Sequence, residues 1–140
     1  MDPVIRIRRS DIEAMLAHAL EDAPVECCGL LAAAQGAVVS VHRAKNREAS
    51  RYRFSIDPLE TRKLTDKMED AGAELAGFYH SHTGSEAKPS PTDIRMMGPL
   101  FGPPYVHFVL GVADRERPHA RAFYIEDGVA TEKAFEVVEG

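Results

Sequence analysis

The chain has 140 residues, of which 44% are hydrophobic and 28% charged. That is an ordinary globular balance and enough chain for one domain with its own core. A net charge of −5 offers no basic footprint for nucleic acid. No apolar run approaches the ~20 residues of a membrane span, so no membrane partner is expected. Residues 1–6 lack the apolar centre of a signal peptide, and a cytoplasmic address is expected by default.

Residues 4–7 alternate apolar side chains with Arg and read as a short strand. Ser10 is the expected N-cap of a helix over residues 11–21, with Glu13 in the capping-box place. Ile12, Met15, Leu16, Ala19 and Leu20 form its apolar stripe. Residues 26–34 are a nearly unbroken run of small and apolar side chains, the pattern of a strand buried on both faces. Gln35-Gly36 turns the chain back into a second strand over residues 37–42. Glu26 starts the buried run and, from position alone, reads as an exposed strand-end carboxylate. Cys27 and Cys28 are adjacent, so on a strand they point to opposite faces and read as small buried hydrophobes.

Residues 43–53 carry Arg43, Lys45, Arg47, Arg51 and Arg53 against Glu48. Solvated surface is the favoured reading, with a docking surface for an acidic partner as the alternative. Residues 52–56 read as a short edge strand. Asp57-Pro58-Leu59-Glu60 is a strong helix start, and the helix should run to about residue 71 with Gly72 as its C′ residue.

Residues 75–79 form a buried strand that leads into His80-Ser81-His82. Alternate side chains of a strand share a face, so both imidazoles point one way and Ser81 the other, either as a two-point metal claw or as a satisfied core pair or exposed strand face. Asp93 is the third metal-ligand candidate, after a loop over residues 83–89, in Ser90-Pro91-Thr92-Asp93. That tract also reads as a helix start, with Ser as cap, Pro at the first position and an acid in the first turn. Two nitrogens and one oxygen suit Zn2+ with an open position, while Fe(II) and Mn(II) remain formally compatible. The helix should continue over residues 94–97 to Gly98-Pro99. Residues 105–112 read as a buried strand in which His107 is a core histidine, and residues 120–125 as its returning partner. Asp127-Gly128 is a hairpin-type turn before a last strand or mixed end over residues 129–138. The expected class is α/β, a mixed β-sheet flanked by helices.

The set Glu26 before Gly29-Leu30-Leu31, His80-Ser81-His82, then seven residues and Ser90-x-x-Asp93 resembles the signature of the JAMM (MPN+) metalloproteases. The resemblance spans roughly residues 5–124 and implies one such domain over residues 1–140, with a fold similar to that of cytidine deaminases. It implies Zn2+ on His80, His82 and Asp93, Glu26 acting on the metal's water, and Ser90 hydrogen-bonding the tetrahedral oxyanion. It further implies a ubiquitin-like or sulfur-carrier protein as substrate, cut after its C-terminal Gly-Gly. Thr83 stands where many members carry Pro, and residues 82–89 look closer to the bacterial Mec-type branch, which processes sulfur carriers.

Other functions are weaker. A zinc deaminase would need H-x-E…P-C-x-x-C, which is absent. A non-haem Fe(II) oxygenase shares the two-His, one-carboxylate set and would be told apart by metal analysis. A non-catalytic MPN-type interaction module is the main alternative, and the intact set of five residues argues against it. A homodimer is left open, as is the choice between peptide and isopeptide bonds.

Overall fold

A computed structural model describes residues 4–139. The N-terminal stretch judged to lack a signal peptide therefore begins, at residues 1–3, outside the described residues. The elements in chain order are β1 (Ile5–Arg8), α1 (Arg9–Asp22), β2 (Cys28–Ala34), β3 (Ala37–Ala44), α2 (Pro58–Asp70), β4 (Glu74–His82), α3 (Pro91–Met97), β5 (Val106–Gly111), β6 (His119–Glu126), β7 (Val129–Lys133) and β8 (Phe135–Val138). The strands form one mixed sheet in the order β7-β6-β5-β4-β2-β3-β1-β8. β4 and β5 run parallel, while β2 pairs antiparallel with both β3 and β4. Only residue 134 separates β7 from β8, yet they occupy opposite ends of this order. The sheet must therefore curl until its two ends approach each other.

Both faces are covered, as the uninterrupted apolar runs require. Leu31, Tyr79, Phe108 and Leu110 pack against Met15 and Ala19 of α1. Their sequence neighbours Leu30 and Phe78 point the other way, into a second core with Met68 of α2 and Met97 of α3. The period-2 alternation of β2 and β4 thus divides the chain into an α1 side and an α2/α3 side, and the histidines of β4 fall on the latter. Among the described residues, no helix is long and apolar enough to cross a membrane.

Three local expectations are corrected. The helix after β1 begins at Arg9, so Arg8 is its N-cap, without a side-chain cap bond, and Ser10 lies inside the first turn. The cause is connectivity, because β1 runs into α1 with no intervening residue. Residues 52–56 form no strand. Asn46 holds that segment as a loop: its amide donates to the carbonyls of Glu26 and Arg53, both at 3.0 Å. The Asn46 side-chain oxygen accepts from the N–H groups of Glu48, at 3.0 Å, and Ser55, at 3.2 Å. The C-terminal stretch over residues 129–138 is two strands, and β8 pairs parallel with β1. The start of α2 is as expected, with the Asp57 carboxylate accepting from the Leu59 N–H at 2.9 Å and Gly72 at φ +82° after the helix.

Gly77 pairs with Val106 across the β4–β5 ladder. A Cβ at this position would lie 1.9 Å from the carbonyl oxygen of Val106, which is backbone held in the ladder and cannot swing aside. Gly77→Ala should therefore cost about 1–3 kcal/mol or more through overpacking. Thermal melting should record a fall of several degrees, and an unchanged melting temperature would show that β5 can shift at this point.

Candidate functional site

Register places the site. β2 and β4 pair antiparallel with Cys28 opposite His80 and Gly29 opposite Tyr79. Continued by two residues, this register sets Glu26 opposite His82 on the α2/α3 side. Ser81 secures it from the reverse face: its hydroxyl accepts from the Cys27 N–H at 2.8 Å, and its own N–H donates to the Cys27 carbonyl at 3.1 Å. Both cysteines are buried, and burial pushes their thiols well above the ordinary thiol range. They serve as small buried packing groups.

Asp93 arrives from α3. Ser90 is the N-cap, and its hydroxyl accepts from the Asp93 N–H at 3.1 Å. The Ser90 N–H donates back to Asp93 Oδ2 at 2.9 Å, completing a capping box. The helix start thus aims one carboxylate oxygen at β4. His80 Nε2 lies 2.9 Å and His82 Nε2 3.2 Å from that oxygen, and the two ring nitrogens are 3.2 Å apart. Glu26, His80, His82 and Asp93 are all buried, with exposures of 2–4%. Glu26 and both histidines can bring ligand atoms within 4.8 Å of one another. All four carboxylate and imidazole candidates are therefore together, and Ser90 lines the same cleft as Glu26 and His82. The expectation that Glu26 is an exposed strand-end carboxylate is corrected. Its N–H donates to the Ser50 carbonyl at 2.8 Å, and the loop after β3 covers it.

Electrostatics separate the two carboxylates. Burial alone would raise Asp93, but hydrogen bonds to His80 and His82 and from Ser90 outweigh it and hold the carboxyl well below the usual range. Burial raises Glu26 to about 8; nearby His82 works against the rise and Asp93 adds to it. Among the described residues, Glu26 Oε1 is buried without a hydrogen-bond partner. His80 is lowered by burial despite its contact with Asp93. For His82, burial lowers the pKa, but Asp93 and the Glu86 carbonyl more than restore it and the net direction is upward.

A divalent metal fits this donor set. His82 Nδ1 donates to the Glu86 carbonyl at 2.7 Å. A neutral His82 then presents a bare lone pair on Nε2 to a carboxylate oxygen, and two acceptors face each other unless a cation joins them. Donors of a tetrahedral site with bonds of about 2.0–2.2 Å stand roughly 3.3–3.6 Å apart, close to the separations found here. The Glu86 carbonyl that orients the ring is the outer-shell partner such a ligand needs.

Some participants were not visible as such in the sequence. Phe54 stacks on His80, with ring centroids 4.3 Å apart and planes at 23°. The sequence pattern places it in a short edge strand, and no local pattern couples it to the histidine. Asn46 and the Glu86 carbonyl carry no motif at all. His107 is a core histidine as expected, buried and donating to the Phe101 carbonyl at 2.8 Å.

Comparison with known proteins identifies the family. The profile for prokaryotic homologues of the JAB domain matches residues 8–126. A CysO-cysteine peptidase of Mycobacterium tuberculosis is 38% identical over 139 residues, covering 97% of this chain and 92% of the relative. A desampylase of Haloferax volcanii is 35% identical over 114 residues, or 76% of this chain and 80% of its own. The solution structure of protein DSY2949 from Desulfitobacterium hafniense superposes with a TM-score of 0.85 at 29% identity, covering 98% of this chain and 94% of that one. A profile match along most of the chain, and a peptidase relative sharing more than a third of its residues, make this protein a member of the prokaryotic JAB-domain branch of the JAMM (MPN+) metalloproteases.

Proposed function

We propose that this protease is zinc-dependent and hydrolyses the bond after the C-terminal Gly-Gly of a ubiquitin-like sulfur-carrier protein. The observation that carries the reading is the convergence of His80, His82 and Asp93, with the unpartnered Glu26 oxygen on a residue that lines the same cleft as His82. His80, His82 and Asp93 would hold the metal, and Glu26 and Ser90 are the catalytic residues. Asp93 suits a ligand because its surroundings keep it ionised. Glu26 suits a proton carrier because its surroundings make it basic. Bound zinc supplies Lewis acidity and lowers the pKa of water toward about 7.

Glu26 takes the proton of the attacking water on Oε1 and returns it to the leaving nitrogen as the C–N bond breaks. The water oxygen ends on the glycine carbonyl carbon, leaving a carboxylate and an amine. The Ser90 hydroxyl oxygen is already occupied as the acceptor of the Asp93 N–H, so its own proton is free to point at the developing oxyanion. One such donor is typically worth about 2.7–4 kcal/mol of barrier.

The substrate class is supported by the names of the mycobacterial and haloarchaeal relatives, the first of which acts on CysO-cysteine. Glycine suits the approach because Tyr52 and Thr83-Gly84-Ser85 crowd the same cleft that Glu26, His82 and Ser90 line. Carriers ending in Gly-Gly-X and Ala-Ala-X provide the test, with products read by mass spectrometry. Cleavage should follow the second glycine and fail for the alanine version. Equal cleavage of both would remove the case for a glycine-only passage.

A further inference from the structure

The basic run over residues 43–53 is not uniformly solvated. Arg43 pairs with Glu21. Arg47 donates to the Ser55 hydroxyl at 2.8 Å, and Arg53 sits 3.6 Å from Glu48. The Arg51 guanidinium has no such partner among the described residues. It is exposed, and it lines the same cleft as Glu26, His82 and Ser90. Its backbone is held on both sides: the Ser50 carbonyl accepts from the Glu26 N–H at 2.8 Å, and the Tyr52 N–H donates to the Ser50 hydroxyl at 2.9 Å. The loop is thus tied to the catalytic carboxylate, while the long side chain stays available at the rim. An exposed guanidinium that lines such a site without a protein partner is free to meet a negative group of the substrate.

The chemistry of the leaving group supplies one. In a one-residue extension the α-carboxylate carbon lies only about 2.5 Å from the scissile nitrogen, by standard backbone dimensions, and each further residue moves it about 3.3–3.6 Å away. The leaving side of an isopeptide bond to lysine offers methylenes at that distance instead. A guanidinium fork is the side chain best matched to a carboxylate. We propose that Arg51 is a specificity residue that reads the free α-carboxylate of the leaving residue, so that the enzyme favours a short C-terminal extension over an isopeptide-linked lysine. This rests on the cleft being the hydrolytic site proposed above.

The test uses three substrates built on CysO: the CysO–cysteine conjugate, the same conjugate ending in a carboxamide, and CysO joined by an isopeptide bond to the Nε of a blocked lysine. Wild type, Arg51→Gln and Arg51→Lys are compared by kcat/KM. Wild type should prefer the free acid to the amide by roughly tenfold, mostly in KM, as a charge-assisted hydrogen bond would give. It should cut the isopeptide conjugate no better than the amide. Arg51→Gln should lose the acid–amide preference, and Arg51→Lys should recover part of it. A fold defect would slow all three substrates alike and would not change their ratio. Equal rates on acid and amide in wild type, an undiminished preference in Arg51→Gln, or faster isopeptide cleavage would each overturn the inference while leaving the hydrolytic reading intact. Failure of wild type to cut any of the three would overturn that reading and this inference with it.

Discussion

Glu26→Gln should slow hydrolysis by roughly 10²–10⁴-fold, the usual share of general acid–base catalysis, with the fold and metal content unchanged. The amide fills the same volume but cannot take a proton from water. The slot suits a neutral group, because burial already favours the uncharged form of Glu26, up to about pH 8 in the metal-free protein. The sign of the stability effect follows. A carboxyl whose folded pKa lies above its unfolded value holds its proton longer in the folded state, so its contribution is greatest below about 4.5 and declines as pH rises toward about 8. The Gln variant lacks that decline. Metal-free Glu26→Gln should therefore melt above the metal-free wild type at alkaline pH and close to it at pH 4. Steady-state rates, metal analysis and melting curves at two pH values check all three statements. An active Glu26→Gln enzyme would end the proton-carrier role.

The second large effect concerns the metal. Purified protein should hold about one zinc per chain, as a site of this kind does. His80→Ala or Asp93→Ala should empty it and abolish turnover, a greater loss than the 10–100-fold typical of outer-shell changes. Asp93 matters twice, since its oxygen faces both ring nitrogens and also accepts from the Ser90 N–H. Zinc affinity should weaken as pH falls. Asp93 and the Glu86 carbonyl raise the pKa of His82, so a proton competes for the nitrogen that the metal requires. Elemental analysis of both variants, with zinc titrations at pH 6 and pH 8, measures this. Full zinc retention in both variants would refute the ligand assignment.

The two cores were legible because β2 and β4 alternate with period 2 and are apolar on both faces. Leu30 and Leu31, or Phe78 and Tyr79, announce opposite sides without any coordinates. The cap of α2 was legible for a similar reason: Asp57, Pro58 and Gly72 each act on their own backbone. The cap of α1 was not. Ser10 has the right chemistry, but β1 feeds the helix directly and the boundary falls two residues earlier. Residues 52–56 failed as a strand because apolar residues in a loop can serve a site as well as a sheet, and Phe54 serves His80.

The candidate site divides along the same line. Sequence by itself determined that His80 and His82 share a face and that Ser90 and Asp93 open a helix, since both follow from spacings of two and three residues along one backbone. The family signature added Glu26 to that set. Only the tertiary structure decided that these pieces meet, through the β2–β4 register that sets Glu26 beside His82 and the capping box that turns Asp93 toward both imidazoles. It also decided the different states of the two acids. A carboxylate's pKa depends on burial and on which donors converge on it, and those donors come from residues far apart in the chain. The same is true of Arg51, one of several arginines in a basic run, distinguished only by the cleft beneath it.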